Sequence, residues 1–164
     1  MTYIGLISDT HGTFGDEFRK FFDPVDQVWH AGDFGGGLTT AQEIAAFKPL
    51  VGVYGNCDDR ALRFDYPEYK CFECEQTTVL MMHIGGSPGH YYPEAKRLIE
   101  IIRPDIFVCG HSHILRVEYD RHYSMMYLNP GAAGLQGWQQ YRTALRFRIS
   151  GRDISDMEVL KLPR

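Results

Sequence analysis

The segment Tyr3-Ile4-Gly5-Leu6-Ile7-Ser8-Asp9-Thr10-His11-Gly12 changes character in one step, from an apolar run to a loop of side chains that carry oxygen and nitrogen donors. A short apolar run bounded in this way reads as a buried strand that stops abruptly. The same event recurs. Val25 to Ala31 reads as a strand ending in Gly32-Asp33, and Leu50 to Tyr54 as one ending in Gly55-Asn56-Cys57-Asp58. Thr77 to Met82 ends at His83, and Asp105 to Cys109 ends in Gly110-His111-Ser112-His113. Five apolar runs therefore terminate in Asp, Asn or His.

What lies between these runs sets the sheet. Phe18, Phe21 and Phe22 fall at helical spacing, with Asp16 and Glu17 at the positive end of the helix dipole. Ala41 to Phe47 reads as a second helix. Strands alternating with helices imply a parallel sheet with right-handed crossovers. From Lys70 the rhythm changes, because Lys70 to Glu75 and Thr77 to Met82 follow each other as strands without a helix, which introduces an antiparallel element. Pro93 is well placed as a first helical residue, with Ala95, Leu98, Ile99 and Ile102 on one face behind it. Leu115 to Val117, Met125 to Leu128, Ala144 to Ile149 and Met157 to Leu162 read as further strands. The fold class is α/β. With no linker, repeat or low-complexity tract in 164 residues, residues 1–164 are expected to form one domain.

The balance of 17 basic against 21 acidic side chains, a formal charge of -4, argues against a broad nucleic-acid-binding surface. A phosphate-bearing substrate must then be held locally, by a metal or a few arginines. The start of the chain lacks the basic and apolar segments of a secretory signal, and no run is long enough to span a bilayer. A cytoplasmic protein with no membrane partner is expected. Four irregularly spaced cysteines (Cys57, Cys71, Cys74, Cys109) fit reduced thiols rather than a disulfide scaffold. Cys71 and Cys74 form a C-x-x-C, but within an alternating strand pattern they are expected to face opposite ways.

In open sheets with helical crossovers, ligands gather beyond the carboxyl ends of the strands, where all five polar endings would converge. Asp9-x-His11 and His111-x-His113 add an internal spacing: in extended backbone, residues two apart project on the same side and can present two side chains to one small object. Glycines before Asp33, Asn56 and His111 permit tight turns into a shared pocket. Imidazole nitrogen with carboxylate and amide oxygen suits manganese, iron, zinc or nickel better than calcium or magnesium. Asp33, having two oxygens, can bridge two ions. Singly, each residue has a plainer reading: Asp9 as a helix cap, Asp33 and Asn56 as turn residues, a histidine as a hydrogen-bonded packing residue. Jointly, at strand ends, they read as a metal centre.

The ordered series Asp9-x-His11, Gly32-Asp33, Gly55-Asn56, His83 and Gly110-His111-x-His113 resembles the calcineurin-like metallophosphoesterases, over residue 3 to about residue 133. Chain length, Gly55-Asn56-Cys57-Asp58 and Asn129-Pro130-Gly131 make it most similar to the small phosphodiesterase branch of that family. The resemblance implies a four-layer αββα sandwich of two mixed β-sheets, the metallo-dependent phosphatase fold, with a dinuclear site at the strand ends. It implies that Asp9, His11 and His113 hold a first divalent ion, that Asn56, His83 and His111 hold a second, and that Asp33 bridges them. Manganese is the first expectation, with iron, zinc or nickel as alternatives. Water held between the ions would attack phosphorus in line, while both ions stabilise charge on the phosphoryl oxygens. Asp33, Asn56 and His83 are thereby catalytic as well as ligating. The expected partner is a small phosphodiester or phosphoester, and relatives often form dimers or higher assemblies.

The sequence departs from the family at two points. Many relatives place histidine, a proton donor to the leaving group, where Cys57 stands; a thiol is a weaker acid than imidazolium, which favours diesters or good leaving groups. Ile84 follows His83 where many relatives have glycine. His30 is read as a packed strand residue, His122 as solvated, and the His90-Tyr91-Tyr92 loop as open between substrate contact, helix cap and subunit contact. Cys57 and Arg63 share the C-x5-R spacing of cysteine phosphatases, but Asp58 and Asp59 between them would repel phosphate. A second reading is a scaffold of the same fold, as in the small subunit of the retromer coat, which serves mainly as a binding surface.

Overall fold

A computed structural model describes residues 1–164. In chain order the elements are β1 (Thr2–Ile7), α1 (Asp16–Phe22), β2 (Gln27–His30), α2 (Thr39–Phe47), β3 (Leu50–Gly52), α3 (Arg60–Asp65) and β4 (Tyr69–Cys74). They continue as β5 (Thr77–Met82), α4 (Pro93–Ile102), β6 (Ile106–Val108), β7 (Leu115–Asp120), β8 (Met125–Pro130), β9 (Tyr141–Ser150) and β10 (Asp153–Pro163). The strands form two five-stranded sheets, ordered β10-β9-β1-β2-β3 and β4-β5-β6-β8-β7. Both are mixed. In the first, β1, β2 and β3 are parallel and β9 runs against β1. In the second, β5, β6 and β8 are parallel, with β4 and β7 antiparallel at the edges.

The apolar runs are continuous because both faces of the central strands are covered. On β1, Ile4 and Leu6 join Trp29, Val79, Met81, Val108, Leu128 and Phe147 in a core between the two sheets. Tyr3 and Ile7, on the opposite face, pack with Phe18 and Phe22 of α1, Ile44 of α2 and Leu62 of α3. The outer face of the second sheet is covered by Ala95, Leu98 and Ile99 of α4, which meet Leu80 and Phe107. The layer order is helices, sheet, sheet, helix.

The short helix α3 has no counterpart in the pattern reading. Six residues are too few to show a period, and its start is marked only by Asp59, whose side chain accepts the Leu62 N–H at 3.0 Å. The long hairpin β9-β10 outruns its apolar stretches because β10 is an edge strand with a bulge between Ser155 and Glu158. Cys71 is exposed and Cys74 buried, on opposite faces of β4, and all four cysteines are free thiols.

Gly5 lets helix and strand approach. A Cβ there would lie 2.6 Å from Cδ1 of Phe22, a fully buried ring. Gly5→Ala is expected to lower stability by about 1–3 kcal/mol through overpacking, measured by denaturant unfolding, with Gly15→Ala, at an open site, as the near-neutral control.

Candidate metal centre

The loops after β1, β2, β3, β5 and β6 meet along the seam between the sheets. Their backbones zip together. Asp9 N–H donates to Gly32 O, His11 N–H to Asp33 O, Gly110 N–H to His83 O, and Ala133 and Gly134 donate to Ser8 O and Asp9 O. Asp9, His11, Asp33, His111 and His113 all have φ between 47° and 69°, the left-handed region. The extended geometry expected for the two x-spaced pairs is therefore replaced by left-handed turns. Each pair still presents two side chains inward, and the cost of these conformations is carried by the surrounding hydrogen bonds.

Glycine serves this seam mainly by making room. A Cβ on Gly55 would overlap Asp33 Oδ1, and one on Gly110 would overlap Ser8 Oγ, so both positions need close approach rather than an unusual φ. Gly32 needs both, with φ of +104° and the His83 ring against its Cα.

Each carboxylate commits one oxygen to the protein and aims the other inward. Asp9 Oδ2 accepts from Ser8 Oγ at 2.6 Å and from the His111 N–H at 3.1 Å, leaving Oδ1 3.1 Å from His113 Nε2 and 3.6 Å from His11 Nε2. Asp33 Oδ1 accepts from the Cys57 N–H at 2.8 Å, leaving Oδ2 3.1 Å from His83 Nε2 and 3.8 Å from His11 Nε2. Asn56 directs its amide nitrogen toward Cys57 Sγ, so that Oδ1 faces His111 Nδ1 at 3.0 Å.

The outer hydrogen bonds fix which nitrogens point in. A carbonyl only accepts, so His83 Nδ1 donates to Ala31 O at 2.7 Å and Nε2 is left as a lone pair. Gln139 donates to Gln136 O and faces Oε1 to His113 Nδ1 at 2.8 Å, which leaves His113 Nε2 in the same condition. In the neutral state, both nitrogens thus aim a lone pair at a carboxylate oxygen. His11 Nε2 and His83 Nε2 are buried without a hydrogen-bond partner. Only a proton or a cation relieves such a contact, so the donor set fits metal binding.

Electrostatics agree. Burial alone would raise the Asp9 pKa, but the facing imidazoles of His11, His113 and His83 and the Ser8 hydroxyl hold it well below the usual carboxylate range. Asp33 is lowered in the same way, burial being outweighed chiefly by His83. Burial would keep His83 neutral, yet Asp33 and Asp9 raise its pKa, and Asp9 does the same for His113. His111 is lowered by burial, and the Cys57 thiol is raised by burial and then by Asp33.

Six of the seven expected ligands fall into two groups, and the seventh, Asn56, meets the second through His111. Ligand atoms of Asp9, His11 and His113 lie within 4.8 Å of one another, as do those of Asp33, His83 and His111. A third group joins His11, Asp33 and Cys57 within the same limit. Asp9, His11, Asp33 and Asn56 come from the first sheet, and His83, His111 and His113 from the second. Two clefts flank the centre: one of about 500 Å³ beside Asn56, Arg63 and His83, the other of about 530 Å³ beside His111, Ser112 and Arg116, with Tyr92 on both.

Some positioning residues escaped the sequence reading. Asp58 was visible only as a charge after Cys57, yet it is buried and collects the N–H groups of Asp33, Gly55 and Gly35 at 2.8–3.1 Å, clamping two ligand loops together. Gln139 has no signal in the sequence. His30 is packed as expected, stacked on Phe34 with ring centroids 3.6 Å apart. It also accepts the Gly32 N–H at Nδ1 and, through Nε2, donates to Thr10 Oγ1, tying the Asp9 loop to the Asp33 loop. Of the aromatic loop, Tyr91 is structural, donating to Asp120 at 2.7 Å, while His90 and Tyr92 are exposed beside the second cleft. His122 is exposed.

A family model described as the calcineurin-like phosphoesterase superfamily domain matches residues 2–152. The chain belongs to the calcineurin-like phosphoesterase superfamily. No curated protein matches the sequence. Among solved structures, Vps29 from Chaetomium thermophilum is similar at a TM-score of 0.75 and 14% identity, covering 99% of each chain. Wild-type Vps29 from Entamoeba histolytica, in complex with zinc, is similar at 0.73 and 15%, covering 98% of each. An archaeal phosphodiesterase is similar at 0.72 and 21%, covering 96% of this chain and 99% of its own. At these identities the likeness establishes the fold, two mixed sheets between helices, shared by the superfamily. No helix is long and apolar enough to cross a membrane.

The neutral, buried His30 makes a pH prediction. Burial pushes its pKa down to about 3 from 6.5, so its share of stability is present above 6.5 and is lost as pH falls toward 3. Between about pH 7.5 and about pH 5, the metal-free protein is expected to lose about 2 kcal/mol more than metal-free His30→Gln, because the unfolded histidine takes up a proton that the folded one refuses. Denaturant unfolding at both pH values measures it, and parallel losses in the two proteins would contradict the assignment.

Proposed function

We propose that this chain is a metal-dependent phosphodiesterase that hydrolyses a P–O bond of a small phosphodiester. One observation carries the reading: buried imidazole nitrogens at the sheet seam are aimed at carboxylate oxygens with no proton donor between them. Asp9, His11 and His113 would hold one divalent ion and Asn56, His83 and His111 a second, with Asp33 available to both. Manganese, iron, zinc and nickel all suit these donors. When bound, two such ions supply an activated water nucleophile and neutralise charge on the transferring phosphoryl group.

The chain's own residues set where that chemistry happens. Asp33 and Asp9 are pinned by Cys57 N–H, Ser8 and His111 N–H, so their inner oxygens cannot rotate away from the centre. The backbone tethers on His83 and the Gln139 tether on His113 hold each ring in the orientation that ligation needs. Two clefts flanking the centre give room for two organic substituents on one phosphorus, which favours a diester over a monoester. Arg63 lies beside one cleft and Arg116, paired with Glu118, beside the other, where either guanidinium can meet a phosphate substituent. Cys57 stands where many relatives place a proton-donating histidine, and its raised pKa makes it a poor acid, which again favours substrates with good leaving groups. Four free thiols suit the reducing cytoplasm.

The likeness to Vps29 supports a second reading, a protein-interaction scaffold with the same fold. The test separates them. Wild-type protein should bind divalent metal and hydrolyse bis-p-nitrophenyl phosphate with manganese, iron, zinc or nickel. Asp33→Ala should lose bound metal by elemental analysis and drop activity by a factor of about 10³ or more, the scale of losing an electrostatic centre. Stoichiometric metal with no turnover across a panel of diesters would favour the scaffold, and full turnover by metal-stripped Asp33→Ala would overturn the mechanism.

A further inference from the structure

Cys57 lies closer to the chemistry than a substitute for a distant proton donor would require. Its sulfur, a ligand atom of His11 and a carboxylate oxygen of Asp33 all fall within 4.8 Å of one another. We propose that Cys57 is a further metal donor, forming with His11 and Asp33 a position selective for thiophilic divalent cations, zinc and cadmium ahead of manganese. This rests on the metal-dependent reading above.

A solvent-facing cysteine is not by itself a site. The second observation is His11: its side chain is 6% exposed, its Nε2 has no hydrogen-bond partner, and that atom lies between Asp9 Oδ1 and Asp33 Oδ2. An ion accepting this orphaned nitrogen and the Asp33 oxygen comes within reach of the Cys57 sulfur. The backbone that carries the sulfur is fixed by the scaffold. Cys57 N–H donates to Asp33 Oδ1, the next residue, Asp58, clamps the Asp33 and Gly55 backbones, and Arg63 donates to the carbonyls of Asn56 and Asp58. Movement of the cysteine relative to Asp33 would break that clamp.

The ligand chemistry follows from softness. Manganese is satisfied by the oxygen and imidazole donors, and gains little from sulfur, whereas thiolate is a preferred ligand of zinc and cadmium. On binding such an ion the S–H bond breaks, its proton passes to solvent, and the electron pair left on sulfur forms the bond to the metal. With manganese bound, the same side chain remains a solvent-facing thiol. A single residue thereby makes metal identity decide whether the sulfur is a ligand or a free thiol.

The experiment uses the full chain stripped of metal and loaded with cobalt(II), a spectroscopic stand-in for zinc. Wild type should develop a sulfur-to-cobalt charge-transfer band in the near ultraviolet. Cys57→Ser should still bind cobalt but lose the band, while Cys71→Ser, which alters the other exposed thiol, should keep it. In parallel, zinc and cadmium affinity should fall by roughly ten- to hundredfold in Cys57→Ser, at least the loss seen when an outer partner of a metal site is removed. Manganese affinity should not change. Cobalt bound to wild type without the band, a band that survives Cys57→Ser, or equal losses for zinc and manganese would overturn the inference and leave the hydrolase reading intact. Absence of any metal binding by wild type would overturn both.

Discussion

Two carboxylates buried at the end of a sheet-to-sheet seam govern this molecule. Asp9 is fully buried and Asp33 nearly so. Burying an unpaired charge is costly, and here the compensation comes from imidazoles converging on the inner oxygens and from fixed donors on the outer ones. The depressed carboxylates, the raised His83 and His113 and the two unpartnered imidazole nitrogens are one fact seen from several atoms: this point in the protein is built for positive charge.

The architecture meets that demand through its layering. Each proposed half-centre draws ligands from both sheets, so neither sheet alone carries a complete set. The apolar core between them, from Ile4 and Leu6 to Val108 and Leu128, therefore sets the spacing of the candidate ligands as well as stability. Positioning groups continue the logic: Asp58 joins the Asp33 and Asn56 loops of the first sheet, His30 joins the Asp33 loop to that of Asp9, and Gln139 braces a histidine of the second sheet.

Membership of the calcineurin-like phosphoesterase superfamily and likeness to both Vps29 and an archaeal phosphodiesterase illustrate how one fold serves more than one kind of protein. What argues for catalysis in this chain is local. The seven candidate donors are brought together, Asp9, Asp33, His83 and His113 are each oriented by a neighbour, and clefts lie on two sides. Cys57 is the local feature that gives the centre its own character, because it adds sulfur to a set otherwise made of nitrogen and oxygen.

The sequence by itself marked the α/β alternation and the polar strand endings that hold the seven candidate donors, since apolar runs of strand length and their endings are written in consecutive residues, while the layered sandwich followed from the family resemblance. It did not determine how the donors are aimed. The x-spaced pairs suggested extended backbone, whereas Asp9, His11, His111 and His113 turn left-handed, a conformation paid for by hydrogen bonds from remote loops. Nor could it show α3, too short to have a period, or Gln139 and Asp58, whose partners lie far along the chain. Local pattern encodes which surfaces must be hidden. Which lone pair faces which carboxylate depends on contacts between segments up to a hundred residues apart, and only packing brings those together.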